Sequence, residues 1–251
     1  MNKFVSDLVS KEWIEASNSL WVSNIFGVPK KDPTTGKFPS RLEWIRSADP
    51  NMSIRWVIDC RHVNSQPKAA KIPLPHIEEL FDKIQNAKLF SVVDLASGYH
   101  QMRMNEDSKP YTAFRTNNET YQWKVAPMGL AGMPGTLTRL MRTLLSKLLF
   151  TVVYLDDICI FSSCMNGYLS YLCKVFEVLR ENKLYAQREK CTFAKSSAEF
   201  LGHVISSEGL KVDNKKIQAI MSWSTPNERK ELKRFFGLVG YYRRFIKTSH
   251  I

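Results

Sequence analysis

The chain has 251 residues, 44% of them apolar, enough to bury the core of one large domain or of two lobes and too many for a disordered tail. Its 36 Lys and Arg against 24 Asp and Glu leave a net charge of +12, a balance that suits a polyanionic partner such as nucleic acid. The five cysteines (Cys60, Cys159, Cys164, Cys173, Cys191) form no CxxC pair, which argues against a disulfide framework or a zinc site and for a reducing intracellular compartment, cytoplasmic or nuclear. The longest apolar run, Leu148 to Leu155, is far too short to cross a bilayer, and the first residues lack the apolar core of a signal peptide, so no membrane partner is expected.

In chain order, residues 30 to 71 concentrate cations (among them Lys30, Arg41, Arg55 and Arg61) around a long loop from Pro33 to Asn51. Strand-like runs flank that loop, LWVSNIFGVP before it and IRWVIDC after it, both rich in Val, Ile, Trp and Phe. IPLP then blocks helix until Pro75, after which Ile77, Leu80, Phe81 and Ile84 follow helical spacing. AKLFSVVD predicts a buried strand ending near Asp94, and ETYQWKVAP a second strand. An amphipathic helix follows Pro134, with Leu137, Leu140, Met141, Leu144 and Leu148 on its apolar side. TVVYL and ICIFS predict a hairpin turning through Asp156-Asp157. Beyond it come a helix carrying Leu172, Val175, Phe176 and Leu179, one strand across AEFLGHVIS, a turn at EG, and a last helix opened by the capping box Thr225-Pro226-Asn227-Glu228.

Two acids in a hairpin turn are ordinarily turn formers facing water. Here apolar strands frame the pair on both sides, and another apolar strand also ends in an acid, Asp94. Adjacent strand residues point to opposite faces, so only one of Asp156 and Asp157 should face a given site. If the two strands are neighbours, Asp94 and Asp156 converge on a pair of hard cations, an arrangement suited to in-line phosphoryl transfer. The residues by themselves point to a metal-dependent enzyme acting on nucleic acid.

From about Lys11 to Ile246 the sequence resembles the reverse transcriptases of gypsy-type long-terminal-repeat retrotransposons and, more distantly, those of retroviruses. The likeness is carried by GVPKKD, RWVIDCRHVN, IPLPHIEELFDKI, FSVVDLASGYHQMRM, TAFRT, APMGLAGMPGTLTRLM, VVYLDDICIFS, EFLGHVISSEG and ELKRFFGLVGYYRRFI. It implies an α/β right-hand polymerase fold: an antiparallel palm sheet backed by helices, basic fingers and a partial thumb. Residues 1–88 would be fingers, N-terminally incomplete and running into palm; 89–211 palm, with a fingers segment at about 107–127; and 212–251 the start of a truncated thumb. The resemblance also implies RNA- and DNA-directed DNA synthesis from deoxynucleoside triphosphates on a primed template, with two Mg²⁺ or Mn²⁺ ions held by Asp94 and Asp156 and with Asp157 less direct. Tyr99 matches the aromatic that screens the sugar 2′ position. Lys30 and Arg55 match residues that hold the triphosphate, and Met128 and Gly129 the segment beside the nucleotide. Arg61 and Asn64 fall where the family touches template, and Leu201, Gly202 and His203 at the primer grip.

There are departures. Met128 stands where gypsy-type chains usually have Phe, and Cys60 and His62 where they have Tyr and Lys. The stretch between Lys31 and Arg55 is longer than in retroviral fingers, which loosens the assignment of Lys30. Ribonuclease H, protease and integrase segments are expected to be absent from the chain. Two readings compete with this one: a truncated or domesticated relic that binds nucleic acid without polymerising, motivated by the shortened thumb, and an interaction subunit in which the same fold serves as scaffold.

Overall fold

A computed structural model describes residues 1–31, 39–40, 42, 54–66, 75–242 and 245. The loop expected from Pro33 to Asn51 and the IPLP segment before Pro75 lie outside the described residues. The chain divides into two compact units of interleaved sequence, residues 1–73 with 97–140, and residues 74–96 with 141–251.

The first unit is built on a five-stranded sheet in the order β1-β6-β5-β2-β3. Its strands are β1 (Ile14–Ala16), β2 (Ser23–Pro29), β3 (Ile54–Ile58), β5 (Phe114–Arg115) and β6 (Thr120–Trp123). Only the β2–β5 pairing is parallel. An N-terminal helix, α1 (Asn2–Ser10), was not expected from the sequence; its Val5 and Leu8 pack with Ile14, Phe114 and Trp123 in a small core. The short helix α2 (Arg61–Ser65) follows β3.

In the second unit, α3 (Ile77–Lys83) leads into β4 (Leu89–Asp94). The four-stranded sheet runs β7-β8-β4-β9, with β7 (Thr151–Tyr154), β8 (Asp157–Ser162) and β9 (Thr192–Lys195), antiparallel throughout. Helix α4 (Met133–Leu145) carries the chain into this unit, and α5 (Met165–Glu181) follows the β7–β8 hairpin. The core gathers Leu80, Phe81, Ile84, Phe90, Val152, Cys159, Phe200 and Ile205, and both Phe90 and Phe200 are fully buried. A polar tie crosses this interior: the Ser91 and Tyr168 hydroxyls lie 2.7 Å apart, and both accept from the Ala194 N–H.

Two expectations need correction. AEFLGHVIS is not one strand but two, β10 (Ser197–Phe200) and β11 (His203–Ser206), paired antiparallel with Phe200 opposite His203. Leu201 and Gly202 between them both have positive φ, +50° and +71°, which is the backbone of a tight hairpin turn hidden inside an apolar run. A third strand, β12 (Gly209–Val212), completes this small sheet. Likewise Thr225 does not cap the last helix. After α6 (Asn214–Met221), α7 runs Arg229–Tyr241, and the Glu231 carboxylate reaches back to accept from the Asn227 N–H at 2.9 Å. Glu231 thus stands at the third helical position, three residues later than the sequence pattern suggests, and its bond reaches the residue before the N-cap, Glu228.

Candidate active site

The β7–β8 hairpin turns one residue earlier than expected. Tyr154 pairs with Asp157, so the two turn residues are Leu155 and Asp156, and Asp157 is the first residue of β8. Leu155 holds φ at +57°, a left-handed conformation that costs a leucine about 1–2 kcal/mol. Below the tip, Ile158, Cys159 and Ile160 are completely buried, so the acids stand on a rigid apolar stem. Burial alone pushes the Cys159 thiol up to about 12, which makes it an inert core group.

Because β4 and β8 are antiparallel neighbours, the strand-end acid Asp94 falls directly opposite Asp157. Side chains of directly paired residues share a face of the sheet, and like charges in that position repel. The Asp157 carboxyl is accordingly pushed up to about 6, first by burial and then by the charges of Asp156 and Asp94. The two strands are neighbours in one sheet, as the convergence of Asp94 and Asp156 required, but the acid in register with Asp94 is Asp157, and Asp156 lies at the adjoining turn.

Sequence reasoning missed the basic group at this site. Lys190 brings its Nζ to 3.7 Å from Asp94 Oδ1 and lowers the cost of ionising Asp157. The segment that carries it is fastened to the end of β4: the Gln187 N–H donates to the Asp94 carbonyl and the Ala96 N–H to the Tyr185 carbonyl, each at 2.9 Å. The only sequence signal was a charge in an unremarkable loop.

Among the described residues, no three His, Cys, Asp or Glu side chains are grouped so as to hold an ion by themselves. The donor set instead fits a hard divalent cation that takes one or two carboxylates and completes its shell with phosphate oxygens and water. Repulsion among three acids at one strand tip, only partly offset by Lys190, is the feature that such a cation would remove.

The primer-grip candidates belong to the same unit. Leu201 and Gly202 form the β10–β11 turn, and His203 is buried behind it. His203 Nδ1 lies 2.9 Å from the Leu201 carbonyl, which also accepts from the Tyr241 hydroxyl at 2.7 Å. The imidazole sits among Phe81, Tyr241, Tyr242 and Phe245, and burial lowers its pKa, favouring the neutral ring. His203 therefore shapes the turn from within, and Gly202 is the exposed residue of the turn.

In the first unit, Lys30 follows β2 and Arg55 pairs with Val28 on the face shared with Phe26; both cations are exposed. Tyr99 is half-buried in a 3₁₀ turn, Gly98–Gln101, entered through Ser97 at φ +52°. Asn64 and the Met128–Gly129 loop, assigned different roles, are brought together: the Asn64 side chain donates to the Gly129 carbonyl and accepts from the Ala131 N–H, each at 2.8 Å. Gly129 has φ +103°, and a Cβ there would stand 3.4 Å from Cys60 Sγ. Arg61 folds its fork onto Asp59, with Nη2 at 2.6 Å and Nε at 2.9 Å.

The chain is 36% identical over 244 residues to the retrovirus-related Pol polyprotein from transposon 297 of Drosophila melanogaster, and 30% identical over 254 residues to the transposon Tf2-3 polyprotein of Schizosaccharomyces pombe. These alignments take in 96% and 100% of the chain but 22% and 18% of the polyproteins, so it spans about a fifth of their length. Among solved structures, a foamy viral protease-reverse transcriptase in complex with double-stranded DNA matches 99% of the chain and 48% of its own, with TM-score 0.83 and 25% identity. The right-hand polymerase fold and the likeness to retrotransposon enzymes are both borne out. The reverse transcriptase family model, described as RNA-dependent DNA polymerase, matches residues 28–205, and the chain belongs to that family.

Proposed function

We propose that the chain is the polymerase core of a reverse transcriptase, adding deoxynucleotides to a primer 3′-OH on an RNA or DNA template. The observation that carries this reading is the in-register pairing of Asp94 with Asp157 beside Asp156, at the tip of a buried hairpin in a chain of this family. In this reading residues 1–88 are fingers running into palm, 89–211 the palm with a fingers segment at about 107–127, and 212–251 the start of the thumb.

Asp94 and Asp156 would hold two Mg²⁺ or Mn²⁺ ions, with Asp157 beside them. Such ions, when bound, make the primer 3′ oxygen a better nucleophile and neutralise charge on the triphosphate. The oxygen attacks the α-phosphorus, the bond to pyrophosphate breaks, and the 3′ hydroxyl proton is lost. Lys190 counters the acids when no metal is bound. Lys30 and Arg55 hold the triphosphate, for which the Arg fork is suited. Tyr99 excludes a 2′ hydroxyl by clash, and the Met128–Gly129 loop, held by Asn64, packs beside the nucleotide. Arg61 lies on the template side, and the Leu201–Gly202 turn supports the primer.

Supporting the choice of partner, solved relatives were captured with double-stranded DNA and with an RNA/DNA hybrid. The curated relatives are polyproteins, so in the cell the core would work alongside other segments of such a chain. Five free thiols suit a reducing compartment, cytoplasmic or nuclear. No described helix is long and apolar enough to cross a membrane.

Primer extension on RNA and DNA templates of defined sequence tests the reading. Incorporation should follow the template base by base, require a divalent cation and favour deoxynucleotides over ribonucleotides. A folded chain that binds primed template yet extends neither kind would overturn it.

A further inference from the structure

A side chain without a task in the mechanism above joins Tyr99 to the Met128–Gly129 loop. His100, the neighbour of Tyr99 in the 3₁₀ turn Gly98–Gln101, brings its Nδ1 to 2.9 Å from the Ala126 carbonyl. A carbonyl can only accept, so Nδ1 carries the proton. Burial lowers the pKa of the ring against the opposing pull of this bond, so the imidazole is uncharged at physiological pH and this N–H is the one it has to give. The ring has little freedom to turn away from the acceptor. Its centroid lies 5.3 Å from that of Trp123, with planes inclined by 11°, and 4.4 Å from that of Trp13, tilted by 42°. Trp123 is itself buried, and the Trp13 carbonyl accepts from the Lys124 N–H at 2.8 Å, which fixes both indoles to the same strand end.

Ala126 is only 1% exposed. Its N–H donates to the Met102 carbonyl at 2.8 Å, and its carbonyl is the one His100 holds. Two residues further on stands Met128, and beyond it the Asn64 side chain holds the Gly129 carbonyl and the Ala131 N–H. The loop is thus pinned at both ends, and the pin at its head is the side chain next to Tyr99. Without that donor a buried carbonyl would be left unpaired, a cost that a shift of the turn or of the loop toward water relieves.

We propose that His100 is a positioning residue for sugar selection: its bond to the Ala126 carbonyl holds Tyr99 at a fixed separation from the Met128–Gly129 loop, so that a ribose 2′ hydroxyl meets a ring that cannot yield. This inference rests on the polymerase reading above and on Tyr99 as the residue that excludes the 2′ hydroxyl. Selection by clash works only while the clashing group is held in place, because repulsion rises steeply with approach and falls as steeply once the group can withdraw. His100 supplies the hold from outside the nucleotide, through a backbone carbonyl, and touches no reacting atom.

The test uses the full 251-residue chain and compares kcat/KM for a deoxynucleotide and for the matching ribonucleotide opposite one template base. His100→Phe keeps an aromatic ring against the two tryptophans and removes the donor; His100→Leu and His100→Asn have nearly the same shape, and the amide alone restores an N–H near the place of Nδ1. The preference for deoxynucleotide should fall about tenfold in His100→Phe and His100→Leu, mainly through a lower KM for the ribonucleotide, as expected for one lost hydrogen bond. His100→Asn should keep most of the parent's preference. In a Tyr99→Ala background, His100→Phe should lower the preference no further, because the two residues act as one device. An equal loss on both nucleotides, His100→Asn no better than His100→Leu, or the full effect of His100→Phe without Tyr99 overturns the role of the bond and leaves the polymerase reading standing. A parent whose preference is unmoved by Tyr99→Ala removes the sugar gate and this proposal with it, again without touching polymerisation. A folded parent that incorporates neither nucleotide removes the polymerase reading together with the proposal.

Discussion

Asp157→Asn should stabilise the metal-free protein while damaging its chemistry. Asp157 ionises at about 6 rather than 3.8 because it is partly buried and faces Asp94 and Asp156. At 1.36 kcal/mol per pH unit, keeping it ionised at pH 7.5 costs the fold at most about 3 kcal/mol. Solvent screening at a half-exposed strand tip reduces this to about 1–2 kcal/mol. The sign follows from a folded pKa raised above the unfolded one: the cost is absent below pH 3.8, grows between 3.8 and about 6, and is full above that. An amide of the same shape removes the charge and keeps the packing. Thermal unfolding in chelator should therefore show Asp157→Asn melting roughly 2–8 °C above the parent at pH 7.5, with about half that gap at pH 5. Millimolar Mg²⁺ should raise the parent more than the variant. A variant that melts at or below the parent, or a gap that does not change with pH, would refute the argument that the acid cluster strains the fold.

Other outcomes follow from single contacts. Asn64→Ala removes both hydrogen bonds to the Gly129–Ala131 backbone and should raise KM for deoxynucleotide more than it lowers kcat, with a stability loss of about 1–2 kcal/mol read from denaturant unfolding. Gly129→Ala must hold φ +103° against Cys60 Sγ and should lose about 1–3 kcal/mol in the same measurement. Tyr241→Phe frees one of two bonds to the Leu201 carbonyl and should cost about 0.5–1 kcal/mol, because His203 still satisfies that acceptor; a loss above about 2 kcal/mol would mean that the hydroxyl has a further task.

The apolar strands and their terminal acids were legible because a run such as LFSVVD or TVVYL has few other places to go than a buried sheet. That Asp94 and the hairpin acids come together could be guessed. Their register could not, since it depends on hydrogen bonding between strands more than fifty residues apart, and a shift of one residue would turn Asp157 to the other face. The β10–β11 turn escaped detection because Leu201 takes a left-handed conformation usually left to Gly or Asn, so an apolar run concealed a break. Thr225 misled for the opposite reason, a correct local pattern that the chain does not use. Lys190 and the Asn64 clamp have no local signature at all, because each acquires its role from a backbone group or side chain distant in sequence.

Asp156 is the residue on which nucleotide joining most directly depends. Single-turnover incorporation of one deoxynucleotide opposite a defined RNA template base should fall by at least about 10³-fold in Asp156→Asn, with binding of the primed template unchanged. Incorporation at the parent rate in a folded Asp156→Asn chain would contradict the assignment of the hairpin tip as the place where the nucleotide is joined.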